Sequence, residues 1–274
     1  MRHSVELLHS AHEEILKATA LNCRQIALLA RRGLVVADHK RAAHFLLHIS
    51  YYRLRAYWLP FEVPAEADGD HAFNGTATFE DVMDLYVFDR ELRLLVMDAI
   101  ERIEVSLRGA WAHHLAMSYG SHAYLDRSIF SVKHDHAASL QAVREEIGRS
   151  RETFVDHYQS TYNDPVDPPI WMVSEVMSFG SLSKWLADLK LRTDRQAIAK
   201  MYGVDERVLC SFTHHVTQIR NICAHHSRLW NKRFTVTMTL PRFPPEFGLA
   251  MNPAADRKLY NALVMIAHLL KVIA

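Results

Sequence analysis

Arg220 and His225 stand five residues apart in Arg220-Asn221-Ile222-Cys223-Ala224-His225-His226, a stretch without an acidic residue. An arginine stays charged at any physiological pH and grips a phosphate through a planar fork of N–H donors. A histidine both takes and gives a proton near neutrality. A permanent cation beside a proton shuttle is the minimum equipment for cleaving a phosphodiester in RNA. The same spacing also fits a structural reading, with Arg220 capping or salt-bridging a neighbouring helix and the histidines solvated.

The segment opening at Asp205 reads as a helix, which fixes directions at about 100° per residue. With His225 at zero, His214 falls at about −20°, Gln218 at about +20°, Asn221 at about −40° and Arg228 at about −60°. Val208, Leu209, Phe212, Val216, Ile219 and Cys223 occupy the opposite side, between about 100° and 200°. One face therefore suits a core. The other collects hydrogen-bonding groups rather than the Lys and Glu of an ordinary solvated face. Arg220 lies about 140° from His225, so the two do not stand side by side on an ideal helix. A bent arginine, a distorted helix or a second subunit would be needed to bring them together.

The elements around this helix read as all-α. The 274 residues hold only nine glycines and nine prolines, and apolar residues recur at three or four over long stretches. Helices are expected from Ser4 to Arg32, stopped by Gly33; from Asp38 through Leu47; and over Tyr51 to Phe61. Thr78-Phe79-Glu80-Asp81 resembles a capping box with Asp in place of Glu. It opens a run to Gly120 long enough that a kink is expected near Gly109. Further helices are expected over Lys133 to Tyr158, Trp171 to Lys190, Arg195 to Met201 and Ala254 to Ile273. Phe234 to Leu240 alternates Thr with apolar residues and reads as a short extended segment. Ala65 to Ala77 is polar and divides the chain into 1–77 and 78–274, with one continuous domain as the alternative.

Net charge is +1, so the molecule as a whole does not announce a nucleic-acid partner. Locally the balance differs: Arg207 to Pro245 contains Arg207, Arg220, Arg228, Lys232, Arg233 and Arg242 and no Asp or Glu. Three unevenly spaced cysteines, Cys23, Cys210 and Cys223, do not make a disulfide framework or a zinc knuckle. His214, His215, His225 and His226 lack zinc-ligand spacing, so no metal and no cofactor are expected. Charged residues in Met1 to Ala20 do not fit a secretory leader, and no run is long and apolar enough to span a bilayer. A cytoplasmic protein without a membrane partner is expected.

Other stretches carry both bland and functional readings. Arg53 and Arg55 alternate with Tyr52, Tyr57 and Trp58, a mixture suited to single-stranded RNA or to a core flanked by ion pairs. Glu104 and Arg108 can pair at i,i+4 and orient Arg220 from a neighbouring helix. Asn231 is a candidate cap for the motif helix, and Lys232 and Arg233 candidate RNA guides.

The wider pattern, Arg-Asn-Ile-Cys-Ala-His-His-Ser-Arg-Leu-Trp-Asn over 220–231, resembles the signature of the abortive-infection (Abi) family of bacterial phage-defence proteins. Three further stretches resemble the same family in the same order: Arg32-Gly33-Leu34 with Tyr51 to Phe61, Phe88 to Val105, and Trp171 to Glu175 with Ser178-Phe179-Gly180. The resemblance covers roughly residues 24 to 233. The family is similar to the HEPN superfamily, whose Arg-x4-6-His motif marks metal-independent ribonucleases on an all-α bundle.

The resemblance implies an endoribonuclease in which the ribose 2′-hydroxyl attacks the adjacent phosphate. His225 would be general acid or base, Arg220 would stabilise the charged transition state, and Asn221 would orient His225 or hold a phosphate oxygen. His214, Gln218, His226, Arg228, Asn231, Lys232, Arg233, Arg53, Arg55, Glu104 and Arg108 would bind RNA or support the site. A homodimer with a composite active site is implied, with an antitoxin or a small regulatory RNA as further partners. The rival expectation is a non-catalytic RNA-binding or protein-interaction module of a defence or toxin–antitoxin system.

Overall fold

The computed structural model describes residues 21–63 and 71–273. The part of the first expected helix before residue 21 and residues 65–70 of the expected polar loop lie outside them. Every regular element among the described residues is a helix, with three isolated bridges and no strand. The chain forms two compact units, Met1–Glu91 and Leu92–Ala274.

In the first unit, residues 21–31 are helical (α1) and end at Gly33. Gly33 takes φ +95°, a left-handed conformation that favours glycine. Helix α2 (His39–Ile49) begins where the Asp38 side chain accepts from the Arg41 N–H. Ser50, at φ 71°, separates it from α3 (Tyr51–Trp58), and a 3₁₀ turn, Leu59–Phe61, follows. The core gathers Leu29, Leu46, Leu54, Tyr57, Trp58, Phe79 and Val82. Arg32 ties loops together through Glu62 at 2.5 Å and the His71 carbonyl, with its guanidinium over the Phe73 ring.

Helix α4 (Phe79–Tyr119) has residues in both units. Its start is a reciprocal capping box: the Thr78 N–H donates to Asp81 at 2.8 Å, and the Asp81 N–H donates to Thr78 Oγ1 at 3.0 Å. The shorter Asp does the work usually given to Glu. The helix runs uninterrupted through Gly109 and stops at Gly120, φ +94°.

The second unit corrects two expected helices. Lys133 to Tyr158 is split into α5 (His136–Arg149) and α6 (Thr153–Thr161), with Ser150 extended between them. Trp171 to Lys190 is split into α7 (Ile170–Val176) and α8 (Phe179–Ala187), because Met177 and Ser178 are extended and the Ser178 hydroxyl caps α8 by accepting from the Ser181 N–H. A serine hydroxyl competes for backbone donors that a continuous helix would use. Helices α9 (Arg192–Lys200) and α10 (Glu206–Ala224) follow, then a short α11 (Pro245–Leu249). The last helix, α12 (Leu259–Ile273), begins later than expected because Pro253–Ala255 form a separate 3₁₀ turn.

Helix α10 runs through the core of this unit. Val208, Leu209, Phe212, Val216, Ile219 and Cys223 are all buried, as the angular reading required, and α8, α9 and α12 pack on it. Phe234 to Leu240 forms no strand. It lies along α10 as a strap held by side chains: the Thr239 N–H donates to Ser211 Oγ at 2.8 Å, and His215 Nδ1 donates to the Val236 carbonyl at 2.7 Å.

Candidate functional site

Helix α10 starts at Asp205, whose carboxylate accepts from the Arg207 N–H at 2.9 Å, and its far end carries the motif. The last helical residue is Ala224, and His225 is the C-cap, its N–H bonded to the Asn221 carbonyl at 3.0 Å. His226 takes φ 56°. Its N–H reaches the Cys223 carbonyl at 3.0 Å, while the Ser227 N–H reaches the Ile222 carbonyl at 2.9 Å. This pair of bonds is a Schellman turn with histidine where glycine is usual. The helix therefore ends seven residues before Asn231, which does not cap it. Asn231 takes φ 50° and accepts from Lys258 Nζ at 2.9 Å. Arg228, Lys232 and Arg233 also follow the turn, so helical angles do not place them.

His225 opens onto a cleft of about 650 Å³ between α10, α8 and the strap. His214, Gln218, Asn221 and Ser227 share its wall with Lys184 and Asp188 of α8 and with Val236 of the strap. His214, Asn221 and His225 are exposed, as is Lys184. Lys184 places a cation in the wall of the same cleft. Asp188 is already engaged, accepting from His134 Nδ1 at 2.8 Å. Gln218 belongs to the wall but is committed to the strap, donating to Thr235 Oγ1 at 2.7 Å and accepting from the Val236 N–H at 3.4 Å.

Arg220 faces elsewhere. It lines a separate cleft of about 290 Å³ with Glu101, Glu104 and Arg108 of α4 and Glu175 of α7. Glu104 accepts from Arg108, which also donates to the Ser174 and Glu175 carbonyls. Arg220 Nε is 3.8 Å from the second Glu104 oxygen and, although buried, makes no hydrogen bond among the described residues. Glu104 thus faces two guanidinium groups, bonded to Arg108 and only approached by Arg220. The lining of this cleft, three carboxylates against two guanidinium groups, is acidic. The two clefts have no lining residue in common. Within one chain the structure does not bring Arg220 and His225 together.

The remaining candidates are spread out. His226 forms the turn. Arg53 and Arg55 are exposed on α3 in the first unit, beside buried Tyr57 and Trp58; Tyr57 donates to Asp89 at 2.7 Å. His215 is a core group, held neutral because burial pushes its pKa down against the opposing effect of its bond to Val236. Burial also raises the Cys210 thiol to about 11, which disfavours a nucleophilic thiolate. Sequence reading missed Lys184, whose place in the site depends on how α8 packs against α10. The one available signal was its exposed position on an otherwise apolar helix.

No curated protein and no solved structure matches the chain. The profile of the Abi-like protein family matches residues 44–231, a span that takes in Arg53, α4, α8 and the whole of the Arg220–His225 helix end. The chain belongs to the Abi-like family.

Proposed function

We propose that this protein is a metal-independent endoribonuclease of HEPN type, acting in abortive-infection phage defence, whose active site is completed by a second copy of the chain. The defence role follows from membership of the Abi-like family. The observation that carries the composite site is the placement of Arg220 and His225 in separate open clefts on one helix. A phosphate held by His225 of one chain lies out of reach of that chain's Arg220, so a facing copy has to supply the arginine.

In this reading His225 takes the proton of a ribose 2′-hydroxyl. The oxygen attacks the adjacent phosphorus, the P–O5′ bond breaks, and the 5′-oxygen leaves with the proton returned by the His225 imidazolium. The products are a 2′,3′-cyclic phosphate and a 5′-hydroxyl end. Proton transfer of this kind contributes about 10²–10⁴-fold in rate. The Arg220 guanidinium stabilises the additional charge on the pentacoordinate phosphate, and Glu104 positions it. Lys184, Asn221 and Ser227 are available to hold phosphate and ribose oxygens in the His225 cleft.

The test is incubation of purified protein with structured RNAs in the presence of a chelator, beside Arg220→Ala and His225→Ala. Cyclic phosphate ends produced by the wild type alone support the reading; equal cleavage by all three proteins overturns it. The acidic lining around Arg220 favours a second reading, in which Arg220 is a structural ion-pair member and the His225 face only holds RNA or a partner protein. Salt-dependent RNA retention without new ends in infected-cell RNA would select that reading.

A further inference from the structure

The opposite end of α10 carries a cavity of about 660 Å³. It lies ~27 Å along the helix from His225, taking 1.5 Å per residue from Arg207. The start of α10, the end of α9 and the chain from Thr239 to Pro244 wall it in. Its volume falls in the range of sites for a single small-molecule ligand.

Three cations line it: Lys200, Arg207 and Arg242. All three are exposed, and none has an ion-pair partner among the described residues, whereas Arg32, Arg108, Arg144 and Arg192 are each paired. The cavity's one carboxylate, Asp205, is committed as the α10 cap and lies 4.0 Å from Arg192. Three unneutralised cations around one cavity favour an anion, and arginine favours phosphate. The floor is apolar, formed by buried Val208 and Pro241 and half-buried Val204 and Leu240. At the rim Phe243 is 77% exposed, a large ring left in water at a cost that a stacked planar partner would offset.

We propose that this cavity binds a free nucleotide, with its phosphates on Lys200, Arg207 and Arg242 and its base against Phe243 and the apolar floor. The site is independent of any chemistry at His225. A cavity of single-ligand size favours a mononucleotide over a strand passing through.

The experiment is isothermal titration of the full chain with ATP, AMP, adenosine and inorganic phosphate. ATP is expected to bind more tightly than AMP, and both more tightly than adenosine or phosphate. Arg207→Glu and Arg242→Glu are expected to weaken ATP by at least about tenfold, the loss of one charge-assisted contact. Phe243→Ala is expected to weaken ATP and AMP while leaving phosphate unchanged, and His225→Ala to change none of these. The substituted side chains are exposed, so circular dichroism is expected to show folded variants. Three results would overturn the proposal: no ATP binding at millimolar concentration, ATP binding indifferent to Arg207→Glu and Arg242→Glu, or single-stranded RNA bound through these residues while ATP is not.

Discussion

Two inactive variants, Arg220→Ala and His225→Ala, are expected to restore each other's ribonuclease activity when they share a dimer. In an α-helix, residues five apart have Cα atoms about 9 Å apart and side chains diverging by about 140°. Here the divergence is reinforced by packing, because Arg220 is drawn toward Glu104 of α4 at 3.8 Å while His225 opens toward α8. Held this way, the two side chains line different clefts of the same chain. In a two-fold dimer the arginine of one copy serves the histidine of the other. A mixed dimer then has one site with both groups intact and one with neither.

Random reassortment makes half of the dimers mixed, each with one working site of two, so the mixture should recover about a quarter of wild-type activity. Losing the proton shuttle lowers the rate by about 10²-fold or more, which puts the mixture at least about 25-fold above the His225→Ala parent. Mixed dimers isolated through two different affinity tags should reach about half of wild type. The assay is the rate of 2′,3′-cyclic phosphate formation on a defined RNA. Isolated mixed dimers no more active than their parents, beside an active wild type, would refute the composite site.

Other consequences concern groups already fixed in place. His134 and His215 titrate below the ordinary imidazole value of 6.5 because burial disfavours the charged ring. As pH falls through 6.5 the unfolded chain therefore binds more protons than the folded one, and stability drops on the acid side. Urea unfolding from pH 7.5 to 5 should show that drop, and an undiminished slope in His215→Asn would contradict its origin. Glu206 is buried and accepts from Arg192 Nε at 2.5 Å, a bond that is the main cause holding its carboxyl below the usual range. Arg192→Ala should lower the midpoint of chemical denaturation, by an amount tempered by the exposure of Arg192; an unchanged midpoint would show that water replaces the arginine.

What the sequence revealed of the fold was local hydrogen-bond chemistry. Asp38, Thr78 with Asp81, and Asp205 cap the helices they were expected to cap, because a cap needs only its own neighbours. Gly33 and Gly120 stop helices for a similarly local reason. The breaks at Ser150 and Ser178 were hidden because serine tolerates a helix interior, and tertiary packing decides which conformation wins. The strap from Phe234 to Leu240 failed in a more instructive way. Its alternation fits an extended chain, but the donors and acceptors beside it are Ser211, His215 and Gln218 of α10 rather than a neighbouring strand.

The same distinction governs the site. That Arg220 and His225 point apart was legible from one helix and its period. What each side chain meets was not, because Glu104, Lys184 and the strap arrive from distant parts of the sequence. Gln218 shows the cost of reading a face by composition alone: an amide suited to ribose is equally suited to a backbone strap, and here it holds Thr235 and Val236. His226 shows it again, since a histidine expected to bind RNA or support the site forms the left-handed residue of the turn. These assignments narrow the motif. Asn221, through its carbonyl, fixes the last turn of α10, and His226 bends the chain away beyond it. His225 is left exposed at the helix end, free of side-chain hydrogen bonds among the described residues, where a second chain can approach. The turn therefore leaves the space in front of His225 open, by a geometry independent of Arg220.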